Sequence, residues 1–574
     1  MIRILTDPKH ADAARREGRD VWSAPAAAEA LAILGVPATV HDGLPMIDDG
    51  RRLPLLVVDE PDPDTAAALL DHADSGGAFV VCGHDPSWTG LTATPAPAEA
   101  LVHVDAQLTS DGEPLRLRAF GGWALTVPGG DVVGASWEHD RSPAIVRVAR
   151  GRGTVAVVGP DLWHTLVRIT QGHRVDGDGV APADGSAPVD DGLLKCDDGI
   201  ALSWTEDRTT VDGVPADETY EHVHPPTRSL PFFAAAQADQ WREILLHLLL
   251  DLTGDDVLPL VAPWPDGAPA AAHVSHDSDA NDDPSARAAL DCFAAAGIAV
   301  TWCFLYPGGY SQEIYDEVVA AGHEPALHYN AMLDTPDCTW GLDRLREQLA
   351  WATHQVRGAP IVTNKNHFTR WEGWDEFFLW CEDLGLRVDQ SHGPSVQGAI
   401  GFPFGTCHPH RPLTSAAHGN RPVDVLDLPL QTQDLWLTCT LEVRDAFVAE
   451  ALRRHGLVHL LFHGQHLQHH VEVRTALAET VHRLRAAGVA FHTSAALADW
   501  SERRRQLRLR TTTTDDGAVT VTVEGGRDVD GVALLVPAHL RPYGDGDRHQ
   551  RVVRYGRTFT QVVLDGRSVR LVPA

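Results

Sequence analysis

Residues 271–305 read AAHVSHDSDANDDPSARAALDCFAAAGIAVTWCFL, and they contain one complete unit of strand, helix and second strand. The continuous run Ala271–Asp277 predicts the first strand. An Asp-Asp-Pro sequence then begins a helix over 285–296, because an acidic cap and a proline in the first turn both favour a helix start. A glycine ends that helix, and the apolar run 298–305 predicts the second strand.

The same alternation continues through residues 263–508. The further predicted strands are 324–328, 361–367, 386–390, 423–428, Leu457–His463 and 489–493, and the further predicted helices are 312–321, 342–356, 374–384, 443–454 and 471–487. Seven or eight repeats of this unit predict a (β/α) barrel.

Three other regions flank the barrel. Residues 1–170 alternate strands and helices and predict an α/β domain, and residues 171–262 predict a mixed connecting region. Residues 509–574 change to Thr/Val-rich alternation with Asp-Gly turns, which predicts a small antiparallel, β-sandwich-like domain. We therefore expect an α/β multidomain protein, in keeping with a chain of 574 residues.

The composition argues against several classes of function. The chain has 47 Lys and Arg residues against 79 Asp and Glu residues, which gives a formal net charge of −32. Nucleic acids and anionic membrane surfaces both require basic protein surface, so we expect neither as a partner. The N-terminus lacks the apolar segment of a signal peptide, no stretch is long enough to span a bilayer, and the eight cysteines show no pairing rhythm. These features predict a cytoplasmic protein with reduced thiols.

Polar side chains follow the predicted barrel strands where each strand ends, which is the edge where barrel enzymes place their catalytic residues. Asp277 and Asp279 end the first strand and share one face, because side chains on a strand alternate with a period of two. His328, the segment 364–367 and His463 end three other strands. Paired carboxylates are costly without a cation, and carboxylates with histidines suit a divalent metal beside a general acid and a general base.

Other histidines and cysteines of this region have structural interpretations. His276 lies on the strand face opposite Asp277 and is expected to pack between barrel and helix. His459 is in register with His463 and is expected in the barrel interior. The sequence Cys407-His408-Pro409-His410 suggests a second metal site, but the proline interrupts it and no second cluster supports it.

The residues at these strand ends resemble the polysaccharide deacetylases, also called NodB-homology or carbohydrate esterase family 4 proteins. The resemblance covers about residues 263–505 and implies a distorted barrel of the NodB type. The matching motifs are Asp277-Ser278-Asp279, Gly322-His323-Glu324 with Leu327-His328, Leu461-Phe462-His463, and Asp434 within Gln433-Asp434-Leu435.

This resemblance implies a role for each matching residue. Asp277 corresponds to the general base, and Asp279 and His328 correspond to metal ligands. His463 corresponds to the general acid, and Asp434 is the nearest match to the family's aspartate that orients that histidine.

The chain departs from the family pattern in two places. The family's second metal-binding histidine lies four residues after the first, where this chain has Met332, and the family's Arg-x-Pro motif is replaced by residues 364–370. We therefore expect His367 as the third metal ligand. We expect Arg370 to take the family arginine's role of holding Asp277 ionised through a charge-assisted bond.

The resemblance implies a metal-dependent hydrolase that removes an N-linked acyl group, acetyl above all, from a sugar-like substrate. One divalent cation is expected, Zn²⁺ first, with Co, Mn, Ni and Fe as alternatives. Two other interpretations stay open. In the first, the chain is a non-catalytic carbohydrate-binding or scaffold protein with a decayed site. In the second, it is an amidohydrolase of a small non-sugar amide, since loops rather than the fold set substrate specificity.

The N-terminal region has a second resemblance, to flavodoxin-like glutamine-amidotransferase domains. It rests on strand–helix–strand alternation in residues 1–170 and on Gly76-Gly77 before the predicted strand Ala78–Cys82. That family's nucleophilic cysteine lies on a tight strand-to-helix turn flanked by glycines. Cys82 has no glycine before it and no evident helix after it, so we expect this domain to be non-catalytic.

Overall fold

The computed structural model describes residues 1–43, 53–127, 132–211, 230–254, 256–332, 338–514, 517–544 and 549–574. Within these ranges the strands form five sheets, and helices flank the two largest. No helix in the described ranges is both long enough and apolar enough to cross a membrane.

A nine-stranded sheet forms the N-terminal part. Its strands are β1 (Ile2–Thr6), β2 (Ala38–Asp42), β3 (Leu55–Val57), β4 (Ala78–Cys82), β6 (Ala100–Val104), β7 (Leu115–Ala119), β9 (Val132–Trp137), β10 (Pro143–Arg150) and β11 (Gly153–Val158), and β5 (Thr92–Pro95) pairs separately with β8 (Trp123–Thr126). Its helices are α1 (Pro8–Arg16), α2 (Ser23–Ile33), α3 (Pro63–Asp74) and α4 (Leu162–Gln171).

The strand order of this sheet is β2-β1-β3-β4-β11-β10-β9-β6-β7. The first five strands pair in parallel, and β11, β10, β9, β6 and β7 pair antiparallel. The parallel half has the α/β alternation that the sequence predicts, with α1 and α2 between β1 and β2 and α3 between β3 and β4. The amidotransferase resemblance stays a prediction.

The connecting region carries two regular elements before the barrel, α5 (Gln237–Leu252) and β12 (Leu260–Val261). Helix α5 is buried along residues 237–249. It is therefore a core helix rather than a solvated linker. Strand β12 leaves this region and joins a sheet of the C-terminal part.

The barrel sheet is made of consecutive parallel strands. They are β13 (Ala271–Asp277), β14 (Thr301–Leu305), β15 (Glu324–Tyr329), β16 (Thr363–Asn366), β17 (Val388–Asp389), β18 (Leu426–Asp427), β19 (Leu457–His463) and β20 (Ala490–Phe491). The helices are α6 (Asp283–Ala296), α7 (Gln312–Ala320), α8 (Leu342–Gln355), α9 (Glu376–Leu384), α10 (Leu441–Arg453), α11 (Gly464–His469) and α12 (Val471–Ala486).

The sheet curls because β19 pairs with β13 while β18 lies at the opposite end of the order β18-β17-β16-β15-β14-β13-β19. A parallel bridge between Thr432 and Leu460 joins the segment after β18 to β19. The short β20 pairs with the first residues of β13. The predicted alternation therefore produces a curled parallel sheet whose strand ends meet at one mouth.

The helix of the first strand–helix–strand unit begins at the Asp-Asp-Pro sequence and ends at the glycine, as the sequence predicts. The Asp282 side chain accepts from the Ser285 N–H at the start of α6, and Gly297 ends the helix with φ of 64°. A left-handed φ of this kind favours glycine. All seven residues of β13 are buried, as a strand covered on both faces requires.

After α13 (Ser494–Arg505), the C-terminal part supplies seven strands to two four-stranded sheets, and β12 is the eighth strand. Its strands are β21 (Arg508–Thr513), β22 (Val519–Glu524), β23 (Ala533–Pro537), β24 (Leu540–Pro542), β25 (His549–Arg554), β26 (Arg557–Val563) and β27 (Ser568–Pro573). The sheet orders are β12-β23-β26-β25 and β21-β22-β27-β24. Residues of both sheets share one apolar core, as in a sandwich.

Candidate active site

The turn after β13 fixes the two aspartates. The Ser278 hydroxyl donates to the Asn281 side-chain oxygen at 2.8 Å and accepts from the Leu305 N–H at 2.9 Å. Asn281 in turn donates to the Leu305 carbonyl at 3.0 Å. These bonds tie the turn to β14. Asp277 and Asp279, on either side of Ser278, are therefore held at the mouth of the barrel.

His328 enters the site from the end of β15. Its Nδ1 donates to the Lys365 carbonyl at 3.0 Å, so Nε2 is the ring nitrogen that faces the two aspartates. Nε2 lies 3.3 Å from Asp279 Oδ1 and 3.5 Å from Asp277 Oδ2. The ring is 1% exposed and lies in the floor of the site.

His367 enters from the turn after β16. Its Nε2 lies 3.5 Å from Asp279 Oδ2, and its ring centroid lies 5.0 Å from that of His328. The next residue, Phe368, has φ of 56°, an uncommon value for a non-glycine residue. The connecting region supports this turn, since the Trp371 N–H donates to the Leu194 carbonyl at 3.0 Å.

Asp279, His328 and His367 form a group whose ligand atoms all lie within 4.8 Å of one another. Asp279 Oδ1 and His328 Nε2 are buried, and neither has a hydrogen-bond partner among the residues that the structure describes. Buried polar atoms normally have partners, and one carboxylate with two imidazoles is a donor set that Zn²⁺ and its neighbours prefer. These residues fit one divalent cation.

His463 lies on the other side of Asp279. It is the last residue of β19 and is paired in register with Asp277 across the sheet. Its Nε2 lies 3.5 Å from Asp279 Oδ2. Its Nδ1 hydrogen-bonds to Asp434, whose other carboxylate oxygen accepts from the His463 backbone N–H at 2.9 Å. Asp434 also lies 2.8 Å from His466 Nδ1.

These carboxylates control the charge of His463. Burial disfavours its protonated form, but Asp434 and Asp279 outweigh burial and raise the pKa of His463 to about 10. Burial likewise opposes ionisation of Asp434, and His463 and His466 reverse this and hold the pKa of Asp434 well below its usual range. The pair is therefore an imidazolium hydrogen-bonded to a carboxylate at neutral pH.

Lys365 is a residue of the site that the sequence analysis did not single out. Its Nζ lies 3.4 Å from Asp277 Oδ2, and its side chain is buried. Burial would raise the pKa of Asp277, but His328 and Lys365 outweigh it and lower that pKa. A lysine two residues before a candidate ligand on one strand was the available signal, because both side chains then face the same way.

Arg370 is placed elsewhere. Its guanidinium pairs with Glu372 and donates to the Leu194 carbonyl at 2.7 Å. Among the ion pairs of the described residues, the cation beside Asp277 is Lys365. The expected contact between Arg370 and Asp277 is therefore not formed, because the turn after His367 directs Arg370 towards the connecting region.

Asp277, Asp279, His328, His367 and His463 border one cavity of about 210 Å³. Its lining consists of Asp277, Asp279, His328, Lys365, Asn366, His367, Phe368, Thr369, Ser395, Gln433, Leu461, His463, Gln465 and His466. Asp279, His328 and His367 thus face the same space as His463.

The histidines and the cysteine to which the sequence analysis gives a structural role, His276, His459, Cys407 and His408, are not in the lining of this cavity. His276 packs its ring against Trp302 at 4.1 Å between centroids. Cys407 and His408 form a second group with Asp239, but Asp239 already accepts from Arg242, Thr406 and the Cys407 N–H. A carboxylate paired with a guanidinium is a poor cation ligand, so this group is a buried polar network.

Cys82 is fully buried at the end of β4. Burial, aided by Asp161, raises the pKa of the Cys82 thiol well above its usual value. A nucleophilic cysteine requires the opposite shift.

Comparison with known proteins gives matches among solved structures alone. No family profile and no curated protein matches the sequence. A putative polysaccharide deacetylase from Mycobacterium smegmatis matches at 18% identity over 44% of this chain and 96% of its own, with a TM-score of 0.34. A putative polysaccharide deacetylase involved in O-antigen biosynthesis, from Bordetella bronchiseptica, matches at 15% identity over 38% and 92%, with a TM-score of 0.26.

A β-galactosidase from Bacillus circulans sp. alkalophilus matches at 12% identity over 29% of this chain, with a TM-score of 0.23. This chain spans 30% of the length of that enzyme. Identities and TM-scores are low in all three cases, and these likenesses assign the chain to no family.

Proposed function

We propose that the protein is a metal-dependent hydrolase that removes an N-linked acyl group, acetyl above all, from a sugar-like substrate. One observation carries the proposal. The carboxylate and imidazoles of Asp279, His328 and His367 border the same cavity as a second carboxylate, that of Asp277, and a third imidazole, that of His463. Asp279, His328 and His367 would hold the cation. When bound, the cation would supply Lewis-acid chemistry that activates water and polarises the acyl carbonyl.

Asp277 is the general base of this proposal. Its carboxylate is held ionised beside the Lys365 ammonium, and it lies two residues before Asp279 in the chain and borders the same cavity. An ionised carboxylate at this position accepts a proton from the attacking water.

His463 is the general acid. Its raised pKa keeps it protonated at neutral pH, so it has a proton to give to the leaving nitrogen. Asp434 fixes the ring by binding Nδ1, which aims Nε2 at the cavity. Asp277 and His463 are paired across β13 and β19. Base and acid would therefore act on the water and on the leaving nitrogen from neighbouring strand ends.

The test combines metal analysis with an acyl-release assay on N-acetylated sugars and on small N-acetyl amides. We expect about one divalent cation per chain and release of acetate from a sugar. Asp279→Ala should lose cation and activity together, whereas Asp277→Asn should keep the cation and lose roughly 10²–10⁴-fold in activity.

Three results would count against the proposal. A protein without bound cation and without hydrolysis would support the scaffold interpretation. Release from small amides but from none of the sugars would point to an amidohydrolase. Loss of cation in Asp277→Asn, with full cation in Asp279→Ala, would exchange the two assigned roles.

A further inference from the structure

A buried polar chain leads from Asp277 into the barrel interior. Lys365 Nζ lies 3.4 Å from Asp277 Oδ2 and donates to Ser275 Oγ at 3.3 Å. Ser275 Oγ lies 3.0 Å from His459 Nε2. Each of these four side chains belongs to a residue that is at most 3% exposed. The contacts connect the candidate base to a histidine outside the cavity.

The direction of each hydrogen bond follows from the donors present. The Lys365 ammonium only donates, so Ser275 Oγ accepts from it. The Ser275 hydroxyl proton then needs an acceptor, and among the described hydrogen bonds that acceptor is His459 Nε2. Burial, with the charge of Lys365, holds the pKa of His459 well below its usual value. A neutral imidazole has the free lone pair that this arrangement requires.

We infer that His459 is a positioning residue for the catalytic base: it orients the Ser275 hydroxyl, which holds the Lys365 ammonium against Asp277. This inference rests on the proposed function. A lysine side chain has many rotamers and no preferred donor direction, so a fixed acceptor beside Asp277 restricts where its charge lies. A neutral histidine supplies that acceptor without a second positive charge.

His273 provides a matched control. It is as buried as His459, and the two ring centroids lie 4.6 Å apart. Its ring nitrogens, however, bond to the His492 carbonyl at 2.9 Å and to Gln390 and Ser494 at 3.2 Å. Loss of either imidazole removes similar packing, but only His459 contacts Ser275 among the described hydrogen bonds.

The experiment uses the full chain loaded with Zn²⁺ and measures kcat, KM and metal content for acetate release. His459→Leu should lower kcat about 10- to 100-fold, the usual effect of removing a side chain that orients a residue of the site. KM and metal content should stay unchanged. His459→Gln should restore most of kcat, because its amide oxygen can accept from Ser275. His273→Leu should stay close to the wild type.

Equal losses in His459→Leu and His273→Leu, or no rescue by His459→Gln, would overturn the inference and leave the proposed function intact. If His459→Leu does not fold, Ser275→Ala takes its place, since it breaks the same chain, and a wild-type kcat in that variant would overturn the inference. A wild-type protein without acetate release would overturn the proposed function, and the inference with it.

Discussion

Replacement of Lys365 by methionine tests how the charge of Asp277 is controlled. Two unit charges 3.4 Å apart attract by about 5 kcal/mol at an effective dielectric constant of about 20. That energy corresponds to roughly 3 to 4 pKa units, an upper bound because a bound cation would supply part of the same field. An opposite charge at this range typically moves a carboxyl pKa by about 1–3 units, and we expect a change of that size.

The direction in which the pH profile of Lys365→Met should move follows from the role of Asp277. A general base must be ionised, so activity is present above its pKa and is lost as the pH falls through it. Because Lys365 lowers the pKa of Asp277, Lys365→Met raises that pKa. The acid limb of the pH profile of kcat/KM should therefore move to higher pH.

Lys195 offers the control for this experiment, since its buried side chain pairs with Asp191 at 2.6 Å, away from the cavity lining. Lys195→Met should leave the acid limb in place. An unmoved acid limb in Lys365→Met, in protein with full metal content, would refute the assignment of Lys365 as the cation that keeps Asp277 ionised.

Three further changes have expected outcomes. His367→Ala should weaken cation binding at least 10- to 100-fold, and Met332→Ala should leave it nearly unchanged because a thioether is a poor ligand for Zn²⁺; equal affinity in both proteins, measured by competition with a chelator, would remove His367 from the ligand set. Asp434→Asn removes a charge that raises the pKa of His463, so the alkaline limb of the pH profile should move to lower pH, and a limb that stays in place would contradict the role of Asp434. Cys82→Ser should leave acetate release unchanged, and a loss of activity in folded protein would show that this thiol takes part.

The strand-end pattern could be interpreted from sequence because it depends on local periodicity. The period of two places Asp277 and Asp279 together, and the end of a buried strand places His463 at the same edge. The structure brings these residues to one cavity, with Asp434 on His463.

Other features could not be predicted because they depend on turns and on distant pairing. The left-handed backbone at Phe368 redirects the chain after His367, so Arg370 reaches the connecting region and Lys365 is left beside Asp277. Likewise, nothing local in residues 260–261 indicates that their partner strand lies about 275 residues later.

That pairing determines how the chain can be divided. Leu260 and Val261 pair with Leu535 and Leu534, and the Val261 N–H also donates to the Gly35 carbonyl at 2.8 Å. A truncated protein that begins at residue 263 would keep the barrel and the C-terminal strands but would leave one sheet edge uncovered. Uncovered edges recruit other chains, so such a fragment should aggregate, whereas a fragment that begins before residue 260 keeps its own edge strand.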